Sequence, residues 1–188
     1  MNDDSPLFVA PVANRSVEWR KTDQVHLIMG VPGLNRSDRR RYALGVLLTM
    51  LGGNSSSRLF QEVREKRGLA YAIRAGATKY VETGYVGIGA GVPTEKAAEC
   101  EKLITEITTT FRFSDQELAD AKTFITGQIA LDWEDSHEIA GHLAEEFLFE
   151  PAVRSFDEIV GKIKAVTRNE VEALATELLS DSSRFHLA

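Results

Sequence analysis

The amino-acid sequence predicts an α+β fold in which an antiparallel sheet carries helices on one face. Residues 70–81 and 84–92 read as strands, and only the short polar link Glu82-Thr83 separates them, which indicates antiparallel neighbours. From residue 94 onward the patterns are helical, and three of these helices begin with capping boxes. Strands followed by a run of helices are typical of a sheet covered on one side. The 188 residues fit a single domain, 1–188.

The composition is that of an ordinary globular protein, with 43% apolar and 27% charged residues. A net charge of −6 argues against a nucleic-acid partner, since the short basic runs are interleaved with acids. No apolar run approaches the ~18 residues of a membrane span, so no membrane partner is expected. The acidic start Met-Asn-Asp-Asp-Ser does not resemble a signal peptide, and we expect a cytoplasmic location. The single cysteine, Cys100, is expected to be a buried small side chain rather than a nucleophile.

The first part of the chain reads as an extended lead-in, two strands and a helix. Pro6 and Pro11 exclude a helix from residues 5–14. Strands are expected at Val17–Arg20 and Gln24–Gly30, the second with alternating apolar residues. A helix over residues 39–51 then carries an apolar stripe at helical spacing.

Residues 51–71, LGGNSSSRLFQEVREKRGLAY, combine a helix end, a loop, a short basic helix and the start of a strand. Gly52 and Gly53 are expected to end the first helix, because glycine adopts the left-handed conformation without steric cost. The short helix spans residues 58–67 and ends at Gly68. The tight turn that follows should bring Arg64 close to Tyr71.

The strand at residues 84–92 is unusually rich in glycine, with the spacing GxGxG. It lacks the third glycine of a dinucleotide fingerprint, and no Lys-Ser/Thr follows, which argues against a phosphate cradle. Alternating glycines leave one face bare, so we expect the strand to lie closely under a helix or a bound peptide.

The remainder of the chain is expected to be helical. Helices are predicted at residues 94–111, 114–133 and 136–149, and two more begin with the capping boxes Ser155–Glu158 and Thr167–Glu170.

The segment 51–71 resembles the signature of the second, non-zinc-binding half of pitrilysin/insulinase-type (inverzincin) zinc metallopeptidases, which include the mitochondrial processing peptidase. The resemblance implies one half of a clamshell that closes around a peptide, with the zinc on the other half. Arg64 and Tyr71 match the pair that holds the substrate backbone near the scissile bond in this family. It also implies a closing strand that begins at Phe185 and is cut at residue 188.

The same resemblance implies a set of residues that contact the substrate. Gly52 to Ser57 lies where the non-catalytic subunit of the processing peptidase has a longer glycine-rich loop that helps to admit the peptide. We therefore expect Gly52, Gly53, Ser57 and Arg58 to contact substrate. The loop is short, and a simple turn that presents the 58–67 helix is the alternative.

The chemistry of the pair can be stated from its side chains alone. A peptide carbonyl that becomes an oxyanion is stabilised by donors already aimed at it. A phenol O–H and a permanently charged guanidinium both qualify. The alternative is a solvated helix arginine and an ordinary half-buried strand tyrosine.

No metal site is expected within this chain. It has no HxxEH motif, and the five-residue spacing of His137 and His142 turns their rings apart on a helix. His142 and Glu145 are followed by Glu146 where the second histidine should be, so polar residues on a solvated face are the expected explanation.

The sequence thus predicts the substrate-clamping half of a zinc endopeptidase, inactive without a partner. That partner is an HxxEH-bearing half or subunit that holds the zinc. The alternative is a non-catalytic scaffold, like the core subunits of the respiratory cytochrome bc complex. The open clamshell face also predicts possible self-association.

Overall fold

The computed structural model describes residues 15–19, 21–150, 152–181 and 186–187. The strands are β1 (Val25–Pro32), β2 (Ala72–Lys79), β3 (Gly84–Val92) and β4 (His186–Leu187). The α-helices are α1 (Arg41–Leu48), α2 (Ala97–Thr109), α3 (Asp115–Asp132), α4 (Ser136–Phe149), α5 (Phe156–Ala165) and α6 (Arg168–Leu179). Two wide-turned π-helical segments, π1 (Thr49–Gly53) and π2 (Phe60–Glu65), lie between α1 and β2, and a 3₁₀ turn (Thr94–Lys96) precedes α2.

The strands form one antiparallel sheet in the order β2-β3-β1-β4. The side chains of β1, β2 and β3 alternate between buried and accessible, and the buried set joins the core beneath α1, α2 and α6. Burial of alternate residues is the pattern of a sheet that packs helices on one side. The predicted α+β fold with helices on one face is therefore confirmed. β4 pairs with β1 where the closing strand was expected, whereas Phe185 lies outside the described residues.

The predicted strand at Val17–Arg20 is wrong for residues 17–19, and Arg20 lies outside the described residues. Val17 and Trp19 are 79% and 88% exposed, and residues 17–19 are not part of a strand. Apolar residue types alone suggested a strand that tertiary contacts do not support. The lead-in at residues 5–14 also lies outside the described residues.

The helix starts follow the local sequence closely. Ser114, Ser155 and Thr167 each accept a hydrogen bond from the backbone N–H three residues on, and the glutamate at that position bonds back to the cap. All three capping boxes are thus confirmed. α4 begins at Ser136 with Asp135 as its cap. Within the described residues, no helix is long and apolar enough to cross a membrane.

Gly68 ends the short basic helix as predicted. Its φ is +57°, the left-handed region that favours glycine. The Gly68 N–H donates to Arg64 O, the bond of an αL helix C-cap, and the Leu69 N–H donates to Val63 O. π2, which carries Arg64, packs beside β2, the strand that begins directly after Tyr71.

The backbone conformation of Gly52, near the end of π1, differs from the one predicted. Its backbone is near extended, with φ −162°, and Gly68 is the one glycine with positive φ in the described part of the chain. A Cβ at Gly52 would lie 2.6 Å from the Ala75 backbone N and 2.7 Å from its Cβ. Glycine is required here because π1 presses directly on β2, and the left-handed prediction for Gly52 and Gly53 is wrong.

Candidate functional site: an open groove on the sheet

The sheet face opposite the helices carries a patch of glycines. Its central strand β3 presents Gly87, Gly89 and Gly91, while Val86, Ile88 and Ala90 face the core. The register places Gly76 of β2 and Gly30 of β1 on either side of Gly87. A Cβ added at Gly76 or Gly89 would meet no described atom within 4 Å. The helix that was expected to cover these glycines is therefore not supplied by the described part of this chain.

A groove of about 530 Å³ runs over this face. Its floor comes from β1, β2 and β3, and its wall comes from π1, π2 and the loop between them, which rise beside β2. The lining residues are His26, Leu27, Ile28, Gly52, Gly53, Asn54, Ser55, Phe60, Arg64, Ala72, Ile73, Arg74, Gly89, Ala90 and Gly91. The volume falls within the range of ligand clefts in proteins.

Arg64 stands on the wall of the groove, in the last turn of π2. Its guanidinium lies 4.8 Å from the centre of the Phe60 ring, a cation–π contact that steadies the side chain. Its only ion pair with a described residue is a loose one, 3.8 Å from Nε to Glu65 Oε1. The guanidinium makes no hydrogen bond to another described side chain, so its fork of donors remains available to a ligand.

Tyr71 immediately precedes β2 and extends its ladder by one bond, since its N–H donates to Gly91 O at 2.9 Å. Its side chain is 59% exposed, more than the half-buried strand tyrosine of the alternative interpretation. Tyr71 does not line the groove, although its neighbour Ala72 does.

The four predicted substrate contacts fall into two groups. Gly52 and Gly53 line the groove. Ser57 is 2% exposed, and its hydroxyl donates to Asn54 O at 2.6 Å, which closes the loop turn. Arg58 Nη2 lies 2.6 Å from Glu117 Oε1 and thereby ties the start of the short helix to α3. Ser57 and Arg58 thus support the groove wall, and their contact with substrate stays a prediction.

The groove residues that the sequence did not single out include His26, Phe60 and Arg74. Arg74 alternates with the buried Ile73 and Ala75, so the period of two could have placed it on the open face. Its position in the groove depends on the strand register, which sets Arg74 opposite Gly89.

The other reactive groups of the chain are not arranged as a second centre. No group of three His, Cys, Asp or Glu residues able to hold a metal occurs in the part of the chain that the structure describes. His142 packs on Trp133, with ring centres 4.7 Å apart. Burial raises the pKa of the Cys100 thiol to about 11, helped by the neighbouring Glu99, so the thiolate is scarce at neutral pH.

Comparison with known proteins assigns the family. Residues 2–125 match the family described as the peptidase M16 inactive domain. The chain belongs to this family, in agreement with the predicted non-zinc half of a zinc metallopeptidase. An uncharacterized zinc protease of Streptomyces coelicolor is 37% identical over 163 residues, which cover 85% of this chain and 36% of the relative.

Solved structures show the same fold. The peptidase M16 inactive domain from Pseudomonas fluorescens has a TM-score of 0.84 and 23% identity, over 95% of this chain and 43% of that one. A chain of Complex III2 from Candida albicans has a TM-score of 0.78 and 17% identity, over 96% of this chain and 45% of that one. The chain thus spans about two-fifths of the length of these relatives.

Proposed function

We propose that this chain is the substrate-clamping half of a zinc-dependent endopeptidase that cleaves peptides or unfolded polypeptides. One observation carries the proposal: an open groove with glycines in its floor has Arg64 on its wall, and the Arg64 guanidinium makes no hydrogen bond to another described side chain, only a loose ion pair with Glu65. The chain is inactive by itself, and an HxxEH-bearing half holds the zinc. Membership of the inactive-domain family supports this division of labour.

The proposed mechanism needs only fixed donors from this half. An extended peptide adds as a strand to the sheet of the zinc-bearing half, which holds its backbone in register. Arg64 and Tyr71 reach the peptide from across the cavity and donate to the carbonyl oxygen as negative charge develops on it. The glycine floor and the Gly52-Gly53 wall let the peptide main chain approach without steric obstruction. The zinc would supply the activated water from the other half.

The first test is complementation. An unstructured fluorogenic peptide is incubated with zinc and this chain, with a protein carrying the HxxEH half, and with both. Cleavage only in the mixture supports the proposal, whereas cleavage by this chain alone contradicts it and directs attention to His142 and Glu145. Size-exclusion chromatography of the same samples reports whether the open face pairs with the other half or with a second copy.

The second test separates the two donors from the fold. Tyr71→Phe removes a single O–H and should lower kcat roughly 10²-fold if the phenol stabilises the oxyanion. Tyr80→Phe is the matched control, because Tyr80 is 52% exposed and does not line the groove. Arg64→Lys keeps the charge but loses the planar fork and should also reduce kcat. Unchanged turnover in the Tyr71 variant of an active mixture would remove Tyr71 from the mechanism.

A second candidate function is a non-catalytic scaffold. The similarity to a chain of Complex III2 favours it, because that likeness covers nearly the whole of this chain. A scaffold has no use for free donors beside an open groove. If the mixture does not cleave and this chain instead co-purifies with a larger assembly, the scaffold function is supported and the clamp is refuted.

A further inference from the structure

Arg74 is an arginine without a partner on the open face of the sheet. It is exposed, lines the groove, and forms no ion pair or hydrogen bond with any described residue. Arg58 and Arg154, by contrast, are paired with Glu117 and Glu146. A guanidinium carries five donors in a rigid fork that fits a carboxylate, so Arg74 is suited to bind an anionic group.

The groove around Arg74 is positive in an otherwise acidic chain. Its lining includes Arg64 and Arg74 and no aspartate or glutamate, while the whole chain has a net charge of −6. The acids therefore lie elsewhere, and the potential inside the groove favours negative groups. Charge focused in a concave site acts on a ligand more strongly than the same charge on a flat surface.

The floor beside Arg74 is clear of side chains. Gly89 lies directly opposite Arg74 in the register, and Gly76 follows it on the same face of β2. An added Cβ at either glycine would meet no described atom within 4 Å. A peptide main chain can therefore lie close to the sheet, within reach of the Arg74 guanidinium for a short acidic side chain.

We propose that the groove selects peptides with an aspartate or glutamate at the position that meets Arg74. The proposal rests on the clamp function and adds a substrate class to it. Arg64 is assigned to the peptide backbone and Arg74 to a side chain, which makes Arg74 a specificity-determining residue. A bidentate guanidinium–carboxylate pair binds more strongly than a neutral hydrogen bond and more selectively than a point charge.

The test compares three fluorescent peptides that differ at one central position, Glu, Gln or Lys. Binding to this chain is measured by fluorescence anisotropy, without zinc or the other half. We expect the Glu peptide to bind roughly tenfold more tightly than the Gln peptide, and the Lys peptide to bind most weakly. Arg74→Gln should abolish the difference between Glu and Gln, and Arg74→Glu should reverse the order in favour of Lys.

Arg39→Gln is the matched control, because Arg39 is exposed, does not line the groove and carries the same charge. If Arg39→Gln weakens binding of the Glu peptide as much as Arg74→Gln does, net charge explains the preference and the proposal is overturned. Equal affinity for the Glu and Gln peptides overturns it as well. High salt should weaken the Glu preference, since the groove is open to solvent.

Cleavage by the complete mixture distinguishes this proposal from the clamp function. If all three peptides are cleaved with equal kcat/KM and Arg74→Gln changes nothing, the clamp stands and the selectivity is refuted. If no peptide is cleaved but the Arg74-dependent preference for Glu persists in anisotropy, the selective groove stands and the clamp is refuted.

Discussion

Gly52 allows a quantitative test of how π1 packs on the sheet. A Cβ at this position would lie 2.7 Å from the Ala75 Cβ and 2.6 Å from its backbone N. Non-bonded carbon atoms prefer separations of about 3.5–4.0 Å, so Gly52→Ala must push π1 and β2 apart by roughly 0.8 Å. Since the obstruction includes backbone rather than the end of a flexible side chain, the neighbours cannot simply rotate away.

The expected change in the free energy of unfolding is the difference between two opposing effects. Overpacking of a close contact costs about 1–3 kcal/mol. Alanine recovers about 0.4–1 kcal/mol by reducing the entropy of the unfolded chain. We therefore expect Gly52→Ala to lower the free energy of unfolding by about 2 kcal/mol, which is near the upper end of the difference between these two effects. With a urea m-value of about 2 kcal/mol/M, the midpoint of unfolding should fall by about 1 M.

Two control variants make the result specific. Gly45 lies inside α1 and Gly89 on the open face of β3, and an added Cβ at either meets no described atom within 4 Å. Gly45→Ala should raise the free energy of unfolding by about 0.5–1 kcal/mol, because glycine is unfavourable within a helix. Gly89→Ala should leave it unchanged or slightly higher. A Gly52→Ala midpoint equal to that of the wild type would refute the close approach of π1 to β2.

Two further predictions concern buried ionisable groups. Glu146 is 4% exposed and accepts a 2.7 Å hydrogen bond from Arg154 Nε. Glu146→Ala should lower the free energy of unfolding by about 1–3 kcal/mol, because the partly buried Arg154 loses these charged hydrogen bonds although it keeps Glu150 as an ion-pair partner. Burial alone would raise the pKa of Glu146, but hydrogen bonds from the Arg154 side chain and backbone outweigh it and lower that pKa below its usual range. The contribution of Glu146 to the free energy of unfolding is therefore complete above its unfolded pKa of about 4.3 and is lost as the pH falls through the lower folded pKa. Urea melts across this acid range should show that the free energy of unfolding depends less on pH in Glu146→Ala than in the wild type. Equal slopes of unfolding free energy against pH in the two proteins would contradict the assignment. Cys100 is fully buried with a pKa of about 11, so a thiol reagent at pH 7.5 should modify it only on unfolding; rapid labelling of the folded chain would contradict its burial.

Local signals in the sequence were sufficient for most of the elements. The capping boxes at Ser114, Ser155 and Thr167 each satisfy backbone donors within four residues, so the helix starts could be predicted without knowledge of the fold. The same holds for Gly68, whose left-handed conformation is a property of a single residue and its turn. The strand 84–92 was predicted with its observed bounds, because the residues that flank it on either side interrupt the strand pattern of the sequence.

The candidate site was only partly accessible from the sequence. Arg64, Gly52 and Gly53 were predicted from the 51–71 segment, and the structure places all three in the groove. Ser57 and Arg58 belong to the same segment, yet one is buried in the loop and the other pairs with α3. Adjacent residues in a loop point in different directions, and the partners that decide their roles come from elsewhere in the chain.

The sequence by itself determined most of the elements, the helix starts with capping boxes and the family, because these depend on residues close together in the chain. Only the tertiary structure decided which glycines serve packing and which serve an open surface. Gly52 is pressed against Ala75 of a later strand, whereas Gly89 faces open space. It also placed Arg74 opposite Gly89, since strand register is set by pairing between distant segments. Contacts between distant segments have no local signature, and the selectivity proposed for this groove depends on them.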